Sequence, residues 1–400
     1  MRTILFVTTV VFLAFLVLGT NGTFTPLRNQ LGSIFFVDST TVKKMRTAFD
    51  RARSGGERIT VLIVPGHDRA DVGAAFGAVT ELALNVELGV LLRDRFAKDT
   101  RFDVLLAQDG AGFNPVLEKY FLERGADILE FRRQKHLQMY SVQQAGLVSS
   151  NVPVEHNNAP GEMVTKLYGM NMWANEQKTD IVVHIHFNDT SRGDVRSVGE
   201  NSGLALYIPD HQYSNAAPSR AIAESVFERL RLRFPKSNLS VEKEGIIEDQ
   251  QLIGLGANNS LDAPSIFIEY GYIYEPQFQY ASVRTMWLRE AALQTYRGIV
   301  AFFENQKGNS DETSALPHSW KKDLTAGVKY NPDVFALQMA LSLEGLYPPD
   351  QSSKNDCPMT GTYFDCTTRS VLAFQKKYHL EPSGDVDRLM RAQLNVLYGE

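Results

Sequence analysis

The stretch IVVHIHFND, residues 181 to 189, reads as a buried strand that carries two histidines among valine and isoleucine. Successive side chains on a strand point to opposite faces, so His184 and His186 share one face while Val183, Ile185 and Phe187 share the other. One face is therefore apolar and the other polar. Taken alone, such a pair is either a set of hydrogen-bonded interior imidazoles or at least one metal ligand at a strand end, and partners elsewhere in the chain decide between them.

Similar apolar runs recur at 59–64 (ITVLIV), 102–107 (FDVLLA), 203–208 (GLALYI) and 265–273 (SIFIEYGYI). Stretches with helical spacing lie between them, beginning near Thr80, Pro218 and Val283. Alternating helices and near-continuous apolar strands predict an α/β fold: a layered, largely parallel sheet flanked by helices. Ligands in such folds gather where strands end and loops begin.

Four hundred residues exceed the usual single core, which predicts two domains. A hydrophobic content of 44% and a formal charge of −5 leave no basic footprint for nucleic acid, so no nucleic-acid partner is expected. At the start of the chain Arg2 precedes an apolar run from Thr3 to Gly19. As a helix that run would span about 26 Å, so residues 1–24 fit either a secretory signal or a membrane anchor through 3–19. Both predict export, to the periplasm, cell wall or extracellular space. The two cysteines, Cys357 and Cys366, lie close together near the end, and in an exported chain they read as a disulfide.

The larger domain is expected over 31–306, a linker over 307–323 and a small all-α domain over 324–400. The segment from about 110 to 162 mixes polar, glycine and proline residues without a clear period. It reads as a long surface insertion, with His156 inside it as a surface residue.

Pro65 and Gly66 break the first strand and place His67 in the loop beyond it, and Glu81 follows as the chain enters a helix. Two histidines and a carboxylate are ligand types that a catalytic zinc uses, with a fourth position left for water. Glu269, a carboxylate inside the apolar run SIFIEYGYI, is costly to bury unpaired and is the candidate proton acceptor. Each residue also has an ordinary explanation: His67 as a turn residue, Glu81 as a first-turn carboxylate, Glu269 as half of a salt bridge.

The chain resembles the zinc-dependent N-acetylmuramoyl-L-alanine amidases of the cell-wall hydrolase type. The resemblance rests on VPGH with His67, ELALNVELGVLL with Glu81 and Asn85, WANEQKTDIVVHIHFN with Ala174, Asn175, His186 and Asn188, and APSIFIEYGYIYEP with Glu269. It covers roughly residues 58–305. It implies that His67, Glu81 and His186 bind zinc, that Glu269 is the catalytic carboxylate, and that the substrate is peptidoglycan, cut at the amide between muramic acid and L-alanine. The family commonly has serine at the position of His184 and glycine at that of Asp68. By the resemblance His184 is a hydrogen-bonding partner around the ligands, an inert substitution or an alternative ligand, and Asn188 is a hydrogen-bonding partner around them. The tail, from Asn331 to Leu397, resembles a three-helix peptidoglycan-binding module in which the Cys357–Cys366 pair pins an inserted loop. Two other readings compete: a non-catalytic wall-binding protein built on a degenerate hydrolase domain, and a zinc peptidase that cuts a different amide.

Overall fold

The computed structural model describes residues 39–149, 159, 161–190, 192, 194, 196–306 and 311–399. The expected signal or anchor at 1–24, and His156, lie outside the described residues. Among the described residues no helix is long and apolar enough to cross a membrane.

Six strands build the main sheet in the order β4-β1-β5-β8-β6-β7. They are β1 (Ile59–Pro65), β4 (Phe102–Leu106), β5 (Ile181–Asn188), β6 (Ala205–Pro209), β7 (Ile246–Asp249) and β8 (Ser265–Tyr272). Every pairing is parallel except that of β6 with β8. The layered α/β fold expected from the sequence is therefore present. A two-stranded hairpin, β2 (Ala75–Phe76) with β3 (Val79–Thr80), sits between β1 and the helix that follows.

The pleat sorts side chains as the sequence requires. Val61, Ile63, Val183, Ile185, Phe187, Ile266 and Ile268 enter the large core, where they meet α1 (Val42–Arg53), α2 (Glu81–Phe96), α6 (Ala216–Leu230) and α8 (Ala281–Glu304). Leu62, Val64 and Val182 face the other way, onto α3 (Pro115–Glu123) and α5 (Gly161–Gln177). His184 and His186 share that second face, and β5 is parallel to both neighbours, so their strand ends open in one place.

The segment expected as an irregular insertion is mostly helical: α3, α4 (Gly125–Gln144) and the start of α5 occupy much of 110–162. Only Ile128, Met139 and Val142 of α4 are buried, too few to leave a periodic stripe in the sequence. Tertiary contacts hold the helix instead, including Lys135 Nζ donating to the Asn259 carbonyl at 2.8 Å.

Beyond the very short α7 (Pro276–Gln279) and α8, the tail forms α9 (Pro332–Leu343), α10 (Asp365–Lys377) and α11 (Arg388–Tyr398). A disulfide joins Cys357 to Cys366. The tail's apolar residues, among them Val334, Leu337, Leu341 and Phe374, belong to the same continuous core as Val283 and Trp287 of α8. The stretch before it is pinned too: buried Glu290 accepts from Thr313 Oγ1 at 2.8 Å and from the Ser314 N–H at 2.6 Å, and Trp320 is buried.

Candidate active site

His67, Glu81, His186 and Glu269, spread over 203 positions of sequence, meet at the carboxyl ends of β1, β5 and β8. His67 follows the Pro-Gly break with a left-handed φ of 66°, an uncommon conformation that turns its ring back toward the strand ends. Glu81 is the first residue of α2, whose N-cap Thr80 accepts from the Ala83 N–H. His186 and Glu269 are directly paired in the β5–β8 register and so lie on the same face.

The Glu81 carboxylate is the hinge of the group. Its Oε2 lies 3.0 Å from His67 Nε2 and accepts from the Ala74 N–H at 3.1 Å. Its Oε1 lies 2.9 Å from His186 Nδ1 and accepts from the Phe187 N–H at 3.3 Å. One donor atom from each of His67, Glu81 and His186 falls within 4.8 Å of the other two. Gly66 is required here, because a Cβ at that position would lie 2.0 Å from the His186 ring.

The electrostatics follow the same contacts. Burial alone would favour a neutral acid at Glu81, yet the hydrogen bonds to His186 and His67 hold its carboxyl far below the usual range. Burial opposes charge on His67, but the Glu81 and Asp71 carboxylates outweigh it and raise that imidazole. At His186 burial wins and the pKa falls. Glu269 is pushed well up by burial and then by the charges of Glu81 and Glu242, and its Oε2 is buried with no hydrogen-bond partner. Two imidazoles, a carboxylate held in its ionised form, and an unsatisfied carboxyl oxygen beside them are the donor chemistry of a divalent metal centre.

The surrounding groups fix this arrangement. Asn85 Nδ2 donates to the Gly66 carbonyl at 3.1 Å, and Gln108 Nε2 donates to the Pro65 carbonyl at 2.7 Å and to that of His67. Asp68 closes the loop that carries His67: its Oδ1 accepts from the N–H groups of Ala70 and Asp71, and its Oδ2 pairs with Lys166 of α5 at 2.9 Å. Asn188 Nδ2 donates to Glu242 Oε1 at 2.8 Å. His184 lies one pleat below His186, buried against the cavity, and burial followed by the neighbouring His186 pushes its pKa down to about 3. Its ring packs against the Gly254 backbone and makes no hydrogen bond to His67, Glu81 or His186.

Sequence reasoning missed Gln108, Lys166 and Glu242. Glu242 is 1% exposed and accepts from Tyr207, Tyr272 and Ser237 as well as Asn188. A polar residue directly after the apolar run FDVLLA was a usable signal for Gln108, whereas Glu242 lies in a polar stretch with no local mark. A second cluster, Asp210, His211 and Glu248, is more exposed, and its Glu248 is already paired with Arg220.

The site opens into a cavity of about 280 Å³. Phe113, Met163, Leu167 and Met170 form one wall, and Leu252 to Gly254 form another.

A family profile described as N-acetylmuramoyl-L-alanine amidase matches residues 61–301. No curated protein sequence matches the chain. Among solved structures it is similar to an N-acetylmuramoyl-L-alanine amidase from Clostridium difficile 630, at 16% identity over 63% of this chain and 99% of that one, with a TM-score of 0.40. It is also similar to the N-acetylmuramyl-L-alanine amidase Ami1 from Mycobacterium smegmatis (14% identity, 62% and 98% covered, TM-score 0.40). A third is the N-acetylmuramoyl-L-alanine amidase AmiC2 of Nostoc punctiforme (17% identity, 62% and 98% covered, TM-score 0.39).

Proposed function

Because the chain belongs to the N-acetylmuramoyl-L-alanine amidase family, we propose that it hydrolyses the amide between N-acetylmuramic acid and the L-alanine of peptidoglycan stem peptides, with zinc as its metal. The observation that carries this reading is the convergence of His67, Glu81 and His186 beside the unpartnered Oε2 of Glu269. His67, Glu81 and His186 would hold the zinc. When bound, zinc supplies a Lewis acid that polarises an amide carbonyl and makes water more acidic.

The chain's own residues do the rest. Glu269 takes the proton from the attacking water and returns it to the departing alanine nitrogen, a two-way transfer suited to a carboxyl whose proton affinity burial has raised. Asn85 and Gln108 hold the backbone on either side of the turn at Gly66 and so fix where the His67 ring points. The Asp68–Lys166 pair ties that loop to α5, whose apolar residues exclude water from one side of the cavity.

The tail's role in this reading is to bind peptidoglycan and raise the catalytic domain's concentration on an insoluble polymer. The amino-terminal run directs export and, if retained, anchors the protein to the membrane. The test is to incubate the protein with purified sacculi and identify released fragments by mass spectrometry. Free stem peptides beginning with alanine are expected; fragments cut within the peptide support the peptidase reading, and none support the wall-binding one.

A further inference from the structure

His184 is the one imidazole at the site whose ring has no carboxylate partner among the described residues. It lies on the floor of the cavity, two residues and so about 7 Å along the strand from His186. Its ring is clamped: Phe267 stacks on it at 6.0 Å between centroids, and on the opposite strand the pair is in direct register. Across the cavity floor the Gly254 backbone lies so close that a Cβ there would sit 2.4 Å from the ring. That loop is itself rigid. Ser265 Oγ donates to the Gly254 carbonyl at 3.0 Å, and Asn171 Nδ2 of α5 donates to the Ile253 carbonyl at 2.7 Å.

The clamp leaves an unanswered polar atom. His184 packs against the Gly254 backbone, and its Nε2 is buried without any partner. A neutral imidazole has one N–H and one lone pair. In the tautomer that carries its N–H on Nδ1, Nε2 is an acceptor. Val64, Leu167, Met170, Ile253 and Phe267, which line the same cavity, carry no side-chain donor for it. A buried acceptor without a partner costs free energy unless a ligand supplies the donor.

We propose that His184 is a substrate-binding residue whose Nε2 accepts a hydrogen bond from a second secondary amide of the substrate, one flanked by a methyl group and distinct from the amide that is cut. The inference rests on the amidase reading above. Two groups of a muramoyl peptide have this chemistry: the 2-acetamido group of the sugar, and the amide that follows the alanine. Both place an N–H and a methyl together, which suits an apolar hollow with a single acceptor.

The zinc-loaded protein is assayed on three soluble muramoyl peptides: the parent, an analogue N-methylated at the amide after alanine, and an analogue with a 2-O-acetyl group in place of the acetamido group. We expect kcat/KM for one analogue to fall about tenfold below the parent, which identifies the amide that is bound. In His184→Leu, with zinc content equal to that of the native protein, that gap closes to within about twofold. A histidine with only a structural role would slow all three substrates alike and keep the gap. Should the leucine variant not fold, His184→Ser, too short to reach the same position, is read for the same closure. Equal cleavage of all three substrates by the native protein overturns the assignment, as does a gap that survives in the variant. Native protein that holds zinc and cuts none of them at the muramoyl-alanine bond overturns the amidase reading and this inference together.

Discussion

Replacing Glu269 with glutamine isolates the proton-transfer step from the metal site. The change is nearly isosteric, and Glu269 Oε2 has no protein partner to lose. Glu269 is also outside the group formed by His67, Glu81 and His186. Fold and metal content should therefore be conserved, with a melting temperature at or slightly above the native value, because a neutral amide avoids the repulsion from Glu81 and Glu242 that an ionised Glu269 would feel. Turnover should fall. A positioned general acid–base contributes about 10²- to 10⁴-fold, equivalent to about 2.7–5.4 kcal/mol of barrier. The assay is kcat on a soluble muramoyl peptide, with zinc measured in the same sample. A variant that turns over within tenfold of native would refute the role of Glu269, and one that loses its zinc would make it a ligand instead.

Other consequences can be measured in parallel. Asp68→Asn removes the charge facing Lys166 from a largely buried pair and should lower thermal stability by about 1 kcal/mol, with a larger fall in zinc affinity than in melting temperature; an unchanged affinity would detach that loop from the site. Converting both Cys357 and Cys366 to serine releases a short closed loop and should cost about 2–3 kcal/mol, seen as earlier unfolding of the tail in calorimetry; an unchanged transition would mean that the loop stays ordered without the bond. Burial opposes ionisation of Glu344, but Lys377, Tyr398 and Tyr378 hold its carboxyl below the usual range. Because its pKa is lower in the folded state, the stability it provides is present above the ordinary glutamate pKa of about 4.3 and is lost as pH falls through the lower folded value. Glu344→Gln should flatten that part of the acid limb in pH-dependent denaturation, and an acid limb identical to the native one would contradict the contact.

The strands that carry the chemistry were legible because their residues are constrained on both faces. Val183 and Ile185 had to be apolar to fill the large core, so the histidines between them stood out. His67 and Glu81 were marked by the Pro-Gly break and the helix start. The helices of the insertion left no such record. In α4 most side chains face solvent, and its order comes from Tyr168, Asn259 and other distant contacts that no window of sequence contains. Glu242 escaped for the same reason, since its four donors come from β5, β6, β8 and the loop at Ser237. The reach of the core from α8 into the tail was equally hidden. Amphipathic spacing in α9 shows that a face is buried but not what buries it.

The central claim is that His67, Glu81 and His186 share one metal ion. Zinc titrated calorimetrically into metal-free protein, native and with His67→Ala, Glu81→Ala or His186→Ala, tests it most directly. The claim predicts one equivalent bound tightly by the native chain and affinity reduced at least a hundredfold by each single substitution. Native affinity retained by any of the three variants, or no zinc bound by the native chain, would contradict it.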